Sequence, residues 1–368
     1  MDVPLAQALA WRRERHFLGP GARSAADVVR RLVAVPAWSG DPELAVRRRL
    51  ARPSPGALAA AVTSGDLIRT YAFGGATHLF AAEDAGVYMA VRCANRQWEL
   101  RSWQEHYDLT PDDWPALREV VRAVVAQGPV RHSELAEQVA RTPRFRHLRA
   151  ALVDNSHTLL KPLAWQGDVC FGPVEDGQPT FRSPSASPGW TGLPELDDAG
   201  GRAVLAYLAA YGPATRDNLH YWLVGGLSAG RRRVDGWIGD LLADRVVEIQ
   251  VDGSPMLHLR EYLDALAAAE PAPEEVILLP GYDRWVLGPG TADPRIVPPA
   301  RRPAVTRGAN VALRAGQVAA TWKIEGAALV VSWFAEAGSP PQREIEAEVA
   351  RLAGLLDRDL TTTIRSAE

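Results

Sequence analysis

Residues 201–260 read GRAVLAYLAAYGPATRDNLHYWLVGGLSAGRRRVDGWIGDLLADRVVEIQVDGSPMLHLR. Apolar side chains recur at helical spacing from Gly201 to the glycine stop at Gly212. Pro213-Ala214-Thr215 follows, with Thr215 placed to cap a second helix through RDNLHYWLV. A third helix is predicted from Ser228 over AGRRRVDGWIGDLLADR. VVEIQVDGSPMLHLR then alternates in polarity on both sides of Asp252-Gly253, a pair that tolerates the left-handed backbone of a tight hairpin. Helices followed by a hairpin, in this order, are the order of a winged helix-turn-helix, with the hairpin as wing.

The same order recurs upstream. Thr110-Pro111-Asp112-Asp113 opens a helix running through REVVRAVVAQG to Gly128, residues 129–140 give a second, and residues 147–160 a third. The wing is expected in KPLAWQGDVCFGPVEDGQPTFRSP, residues 161–184, with Gln166-Gly167 as its turn. A first, looser copy has a helix over residues 24–35 capped by Ser24, a helix opened by Asp41-Pro42-Glu43, and a third from Ser54-Pro55-Gly56 to Ser64. The strand-like segments LIRTYAF and ATHLF follow. SPSASPGWTGLPE (residues 183–195) reads as a link between the second and third copies, and EPAPEE (residues 270–275) as a second break. Beyond it VILLPGYDRWVLG, QVAATWKIEG and AALVVSWFAE read as strands, and QREIEAEVARLAGLLDRDL as an amphipathic helix. The predicted architecture is α+β. Three tandem winged helix-turn-helix modules occupy residues 1–108, 109–190 and 196–265, and a small β-barrel-like domain with a terminal helix occupies residues 273–368.

The 368 residues are 47% hydrophobic and 23% charged, enough apolar material for several packed cores and too much for a disordered chain. The net charge of −3 argues against a general nucleic-acid coat protein, so any grip on DNA must come from local patches. Lysine occurs only at Lys161 and Lys323, and a GC-rich genome explains that bias better than selection for bidentate contacts. Cys93 and Cys170 lie far apart without a CxxC, which suits buried thiols in a reducing cytoplasm and gives no metal site. No run reaches the length of a membrane span. The expectation is a cytoplasmic, monomeric protein that contacts no membrane.

Several long stretches in register, ALAWRRERHFL, LIRTYAF..THLF..ED, LLKPLAWQGDVCFGP, AYLAAYGPAT, LLPGYDRWVLGPGTADPRIVPPARRPAV and GQVAATWK, make the chain resemble the AlkZ-like winged-helix DNA glycosylases over nearly its whole length. The resemblance implies tandem winged helices in a C shape, closed by a barrel, with duplex DNA on the concave face. It also implies hydrolysis, without a cofactor, of an N-glycosidic bond to an alkylated or cross-linked base, often in self-resistance to a DNA-damaging natural product. The family signature, Gln-x-Gln after the first helix, positions the attacking water. Here those positions hold Pro36 and Trp38. Proline has no donor, and an indole donates only. The family's Met-Arg-Gly-Thr-Leu-His appears as Phe73-Gly74-Gly75-Ala76-Thr77-His78, keeping only Gly75 and His78. After Arg307 the usual Gly-Trp pair reads Gly308-Ala309. The departures cluster at the chemistry while the scaffold motifs persist, which suggests altered function.

Each candidate residue has a functional and a structural reading. Trp38 either stacks on a flipped base or aromatic ligand or plugs an unused cleft. Asp41 and Glu43 are the nearest carboxylates for a general base, but both sit at a helix start, where the dipole favours acids. His78 is a candidate acid, base or phosphate contact, or a satisfied strand residue. Three arginine clusters offer phosphate contacts, one per module: Arg47, Arg48, Arg49 and Arg52; Arg141, Arg144, Arg146 and Arg149; Arg231, Arg232 and Arg233. Arg307 joins them by its place beside the altered Gly-Trp position. Asp283 and Trp322 read as structural.

Three functions fit. The first is a reader or excising enzyme for damaged bases in duplex DNA. The second is a repurposed scaffold that binds, sequesters or transforms a small aromatic natural product, favoured by the lost glutamines and the negative charge. The third is a winged-helix transcription regulator, for which three copies in one chain are unusual.

Overall fold

The computed structural model describes residues 1–367 except Ala243 and Pro273. Ala243 lies in the predicted third helix, and Pro273 and Glu368 bound the predicted last domain. These three positions lie outside the described residues. The chain forms two compact units, each from discontinuous segments: Met1–Leu58, Val204–Trp222 and Ile238–Glu368 in one, and Ala59–Ala203 with Leu223–Trp237 in the other.

In the first unit, strands Val276–Leu279, Asn310–Arg314, Gln317–Glu325 and Ala328–Phe334 run antiparallel in sequence order. The helix Gln342–Leu356 then crosses over, and Thr361–Ala367 joins Ala328–Phe334 in parallel. This parallel addition puts the last strand at one edge and Val276–Leu279 at the other, so the sheet stays open. The expectation of a barrel-like domain is corrected to a five-stranded open sheet.

Alternation along the strands builds two cores. Val276, Leu278, Trp322, Leu329 and Val331 pack with Ile345, Val349 and Leu352 of the crossing helix. Ile277, Leu279, Val311 and Leu313 pack with Leu9, Leu18, Trp285 and Val286. The segment GYDRWVLG, read as a continuing strand, turns into the helix Arg284–Leu287 because the Asp283 carboxylate accepts the Trp285 N–H at 2.8 Å and caps it. The hairpin Val246–Val251/Ser254–Leu259 forms at Asp252 (φ 48°) and Gly253 (φ 72°), as the Asp-Gly signal requires. Ser24 caps Ala25–Arg31, accepting the Asp27 N–H at 3.1 Å, although this helix ends before the expected residue 35.

In the second unit, strands follow the order Thr77–Ala81, Leu67–Tyr71, Cys170–Glu175, Gln178–Arg182, Val130–Arg131. Helices Trp114–Val125, His132–Ala140 and Leu160–Trp165 supply Leu117, Val121, Leu135, Val139 and Leu163 to a core shared with Phe171 and Phe181. Thr110 and Asp113 make the capping box that starts this stretch. Gln166-Gly167 is not the wing turn. It ends the helix Leu160–Trp165, with Gly167 at φ 77°, and the hairpin turns instead at Asp176 (φ 50°) and Gly177 (φ 74°). The Pro/Gly/Ser-rich link is packed: Ser187 is buried, and the Gly192 carbonyl lies where a side chain at Gly86 would have to be.

Candidate functional site

The helix Ala25–Arg31 is capped at Leu32, and Val33 then takes a left-handed backbone, φ 70°, rare for a β-branched residue. Two buried groups fix this corner. The Tyr211 hydroxyl donates to the Leu32 carbonyl at 2.7 Å, and Arg284 Nε donates to the Tyr211 oxygen at 3.2 Å. Burial raises the Tyr211 pKa, so the phenol remains a donor. The chain leaves the corner through Val35–Pro36, both buried, and presents Trp38 46% exposed.

Trp38 packs on Tyr282, ring centroids 4.6 Å apart at 55°. Tyr282 also has a left-handed backbone, and its hydroxyl donates to the Arg307 carbonyl at 3.1 Å. Gly308 lies under the phenol ring: a Cβ there would come within 2.2 Å of Tyr282 Cε2. The Asn310 side chain accepts the Gly281 N–H at 2.8 Å. Tyr282, Gly308 and Asn310 line a cleft of about 630 Å³, together with Asp41, Arg307, Trp322 and Arg358 among others. Asp41 is the one carboxylate among its described lining residues. The chemistry on offer is an exposed aromatic face, two guanidinium groups, an amide and one acid. That set suits a planar, electron-rich guest near negative charge.

The two candidate carboxylates each carry a backbone bond. Asp41 accepts the Leu44 N–H at 2.8 Å and caps Pro42–Arg47. Glu43 accepts the Gly56 N–H at 2.9 Å, tying the next loop to this helix. His78 belongs to the second unit, where it is buried, its Nδ1 lies 3.1 Å from the Ala76 carbonyl, and it packs edge-on against Phe73 at 5.2 Å.

The first arginine cluster is corrected at two positions. Arg48 is buried against Glu348 at 2.5 Å, and Arg49 is fully buried, giving Asp283 two bonds of 2.8 and 2.7 Å. A phosphate cannot reach either, because the surrounding fold already supplies their counter-ions. Burial, opposed by Glu348, lowers the Arg48 pKa to about 10. Arg47 stays half-buried and Arg52 exposed. In the second unit Arg141, Arg144, Arg146, Arg149, Arg231 and Arg232 are exposed. Arg144 pairs with Asp113 and Arg149 with Glu137 at 3.4 Å. Arg233, in the first turn of the helix Arg231–Leu242, donates at 2.6 Å to the carbonyl of Ala229, which precedes that helix. Arg307 is exposed at the cleft.

Sequence reasoning missed Tyr282, Asn310 and Arg358 as site residues. Tyr282 was visible only as part of a scaffold motif, and its pairing with Trp38 spans 244 residues that no local pattern connects. Among the described residues no group of three His, Cys, Asp or Glu is placed to hold a metal ion, and no helix is long and apolar enough to cross a membrane.

Comparison with known proteins gives consistent matches. The DNA glycosylase AlkZ-like family matches residues 7–355. The interstrand DNA cross-link repair glycosylase of Streptomyces sahachiroi is 34% identical over 362 residues, 96% of each chain. The solved structure of the Streptomyces sahachiroi DNA glycosylase AlkZ superposes with a TM-score of 0.91 at 33% identity, covering 99% of this chain and 100% of that one.

Proposed function

The chain belongs to the AlkZ-like DNA glycosylase family, and from that premise we propose that it recognises an adducted or cross-linked base in duplex DNA and holds it on the Trp38–Tyr282 face without rapid hydrolysis. The substrate class follows the relative named for interstrand cross-link repair. Exposed aromatic surface beside Arg307 and Arg358 supports it: a displaced base stacks on the rings while the guanidinium groups meet its phosphates. In this reading three winged-helix modules carry the duplex. The contacts come from Arg47, Arg144, Arg146, Arg149, Arg231 and Arg232, and the role is self-resistance to a DNA-damaging natural product.

The observation that carries the proposal is the replacement itself. Pro36 is buried without a donor, and the Trp38 indole donates but does not accept, so neither holds a water as an amide pair does. The remaining acid in the cleft, Asp41, uses one oxygen to cap its helix and is the residue left to orient a water.

The test is binding and cleavage on one duplex with and without an alkylated or natural-product adduct. Salt-dependent binding that favours the adduct, with no abasic sites under conditions where a glutamine-bearing relative forms them, is the expected result. Excision at the relative's rate would overturn the non-hydrolytic half. Absence of duplex binding at low salt, together with binding of a free aromatic natural product, would leave the repurposed-scaffold function instead.

A further inference from the structure

In the unit built from Ala59–Ala203 and Leu223–Trp237, the side chains of His157 and Lys161 lie against one buried phenol, and His132 lies beside His157. Tyr71 ends the strand Leu67–Tyr71, and its hydroxyl meets His157 Nδ1 at 2.5 Å. His157 has a left-handed backbone, φ 53°, and its carbonyl accepts the Lys161 N–H at 3.1 Å. Lys161, one of only two lysines in the chain, places Nζ 5.7 Å from the Tyr71 ring centre. His132, the first residue of His132–Ala140, brings its ring to 5.6 Å from that of His157. Phe181 backs the His157 ring edge-on at 5.5 Å.

The arrangement is electrostatically unfinished. Among the described residues, neither the His132 ring nor Lys161 Nζ forms a hydrogen bond or ion pair, and His157 Nε2 has no partner. Asp154 is the acid facing His157, and it already accepts the Ser156 N–H at 2.9 Å and the Ser156 hydroxyl. Arg69, beside Tyr71, stacks on Phe171 at 4.7 Å. Burial, then His132 and Lys161, hold the His157 imidazolium below its ordinary range. Burial also raises the Tyr71 pKa, so the phenol stays protonated and donates to Nδ1. That bond fixes the neutral His157 tautomer, with Nε2–H left as a donor.

We propose that His132, His157 and Lys161 form a phosphoryl-binding site, with Tyr71 as the residue that positions His157. Three nitrogen donors, from the helix His132–Ala140, the turn at His157 and the helix Leu160–Trp165, suit the two or three terminal oxygens of a phosphate ester, and its negative charge completes the cluster. The source is a backbone phosphate of the duplex or a free phosphate-bearing ligand. Only the first alternative rests on the duplex reading above.

The experiment has two arms on the full chain, with wild type, Lys161→Met and His132→Gln, each first checked by its melting profile. Both substituted side chains are half-buried, so folding is expected to survive. In the first arm, histidine ring resonances are followed during titration with inorganic phosphate against a chloride control. Saturable shifts in wild type, weakened several-fold in either variant, are expected. In the second, duplex affinity is measured against salt. Loss of one cationic phosphate contact, read in Lys161→Met, lowers the slope of log Kd on log[salt] by about one. Phosphate shifts with a reduced slope assign a backbone phosphate. Phosphate shifts with an unchanged slope, or with no duplex binding by wild type, assign a free phosphate-bearing ligand, and the latter sinks the duplex reading alone. No saturable shift and an unchanged slope overturn the site.

Discussion

The Tyr211 hydroxyl is bonded to the Leu32 carbonyl at 2.7 Å, immediately before the left-handed Val33 that aims the chain at Trp38. The corner is therefore held from outside its own segment: a β-branched residue at positive φ persists only where the surroundings over-determine it. Tyr211 is fully buried and takes a further bond from Arg284, so Tyr211→Phe removes both at once. Chemical denaturation should show a loss of about 1–3 kcal/mol. A change within experimental error would mean that packing alone holds the corner.

The Arg49–Asp283 pair joins the helix region Pro42–Arg47 to the start of Arg284–Leu287, and both side chains are fully buried. Asp283 accepts two bonds from Arg49 and also the Trp285 N–H. Arg49→Met leaves a buried carboxylate without its counter-ion, and a loss of about 3–5 kcal/mol is expected. The combined Arg49→Met/Asp283→Asn variant should recover part of that loss, because it removes the stranded charge while keeping a cap at position 283. Unfolding free energies of the two variants check this. A double variant no better than the single one would show that the bonds, not the charge, dominate.

The legibility of this chain in its sequence divides along physical lines. Local signals carried through: Ser24, Asp41, Thr110 and Thr215 cap helices where their side chains and the following acids or prolines require it. Asp252-Gly253 turns a hairpin for the same local reason. Signals that depend on distant partners did not. Thr361–Ala367 is a polar edge strand whose only reason to be extended is its pairing with Ala328–Phe334, and Asn310–Arg314 is fixed by neighbours on both sides. Arg48 and Arg49 look like a surface cluster until Glu348 and Asp283, hundreds of residues away, bury them. The sequence singles out Pro36 and Trp38, but not the Tyr282 face that Trp38 completes.

Two buried histidines set an acid limit on stability. Burial, with a smaller push from Arg15 and against the Tyr262 backbone, lowers His258 to about 4 from 6.5. Burial, then Arg49 and Arg12, holds His16 well below 6.5. Unfolded, both rings take up a proton near pH 6.5, whereas the folded chain does not until far lower. Between about 6.5 and 4 the unfolded state therefore binds more protons, and stability is lost as pH falls through that window. The His258 share is on the order of 3 kcal/mol by its lower end. Unfolding free energies between pH 7.5 and 4.5 should fall more steeply for wild type than for His258→Leu. Parallel curves would show that His258 takes up its proton over the same pH range in the folded and unfolded chain.

The replaced signature gives the most direct test of what the cleft retains. If Pro36 and Trp38 are what withhold hydrolysis, the double substitution Pro36→Gln/Trp38→Gln restores an amide pair that can hold a water, and the variant should form abasic sites on adducted duplex faster than wild type. Trp38 is half exposed and packs on Tyr282, so its replacement should cost about 1 kcal/mol of stability. It should also weaken duplex binding by about 1–3 kcal/mol through the lost stacking face. Higher excision together with weaker binding separates the water-holding role from the stacking role within one variant. Adding Asp41→Asn then asks whether the carboxylate lining the cleft assists the water, and excision unchanged by that third substitution would confine Asp41 to capping Pro42–Arg47.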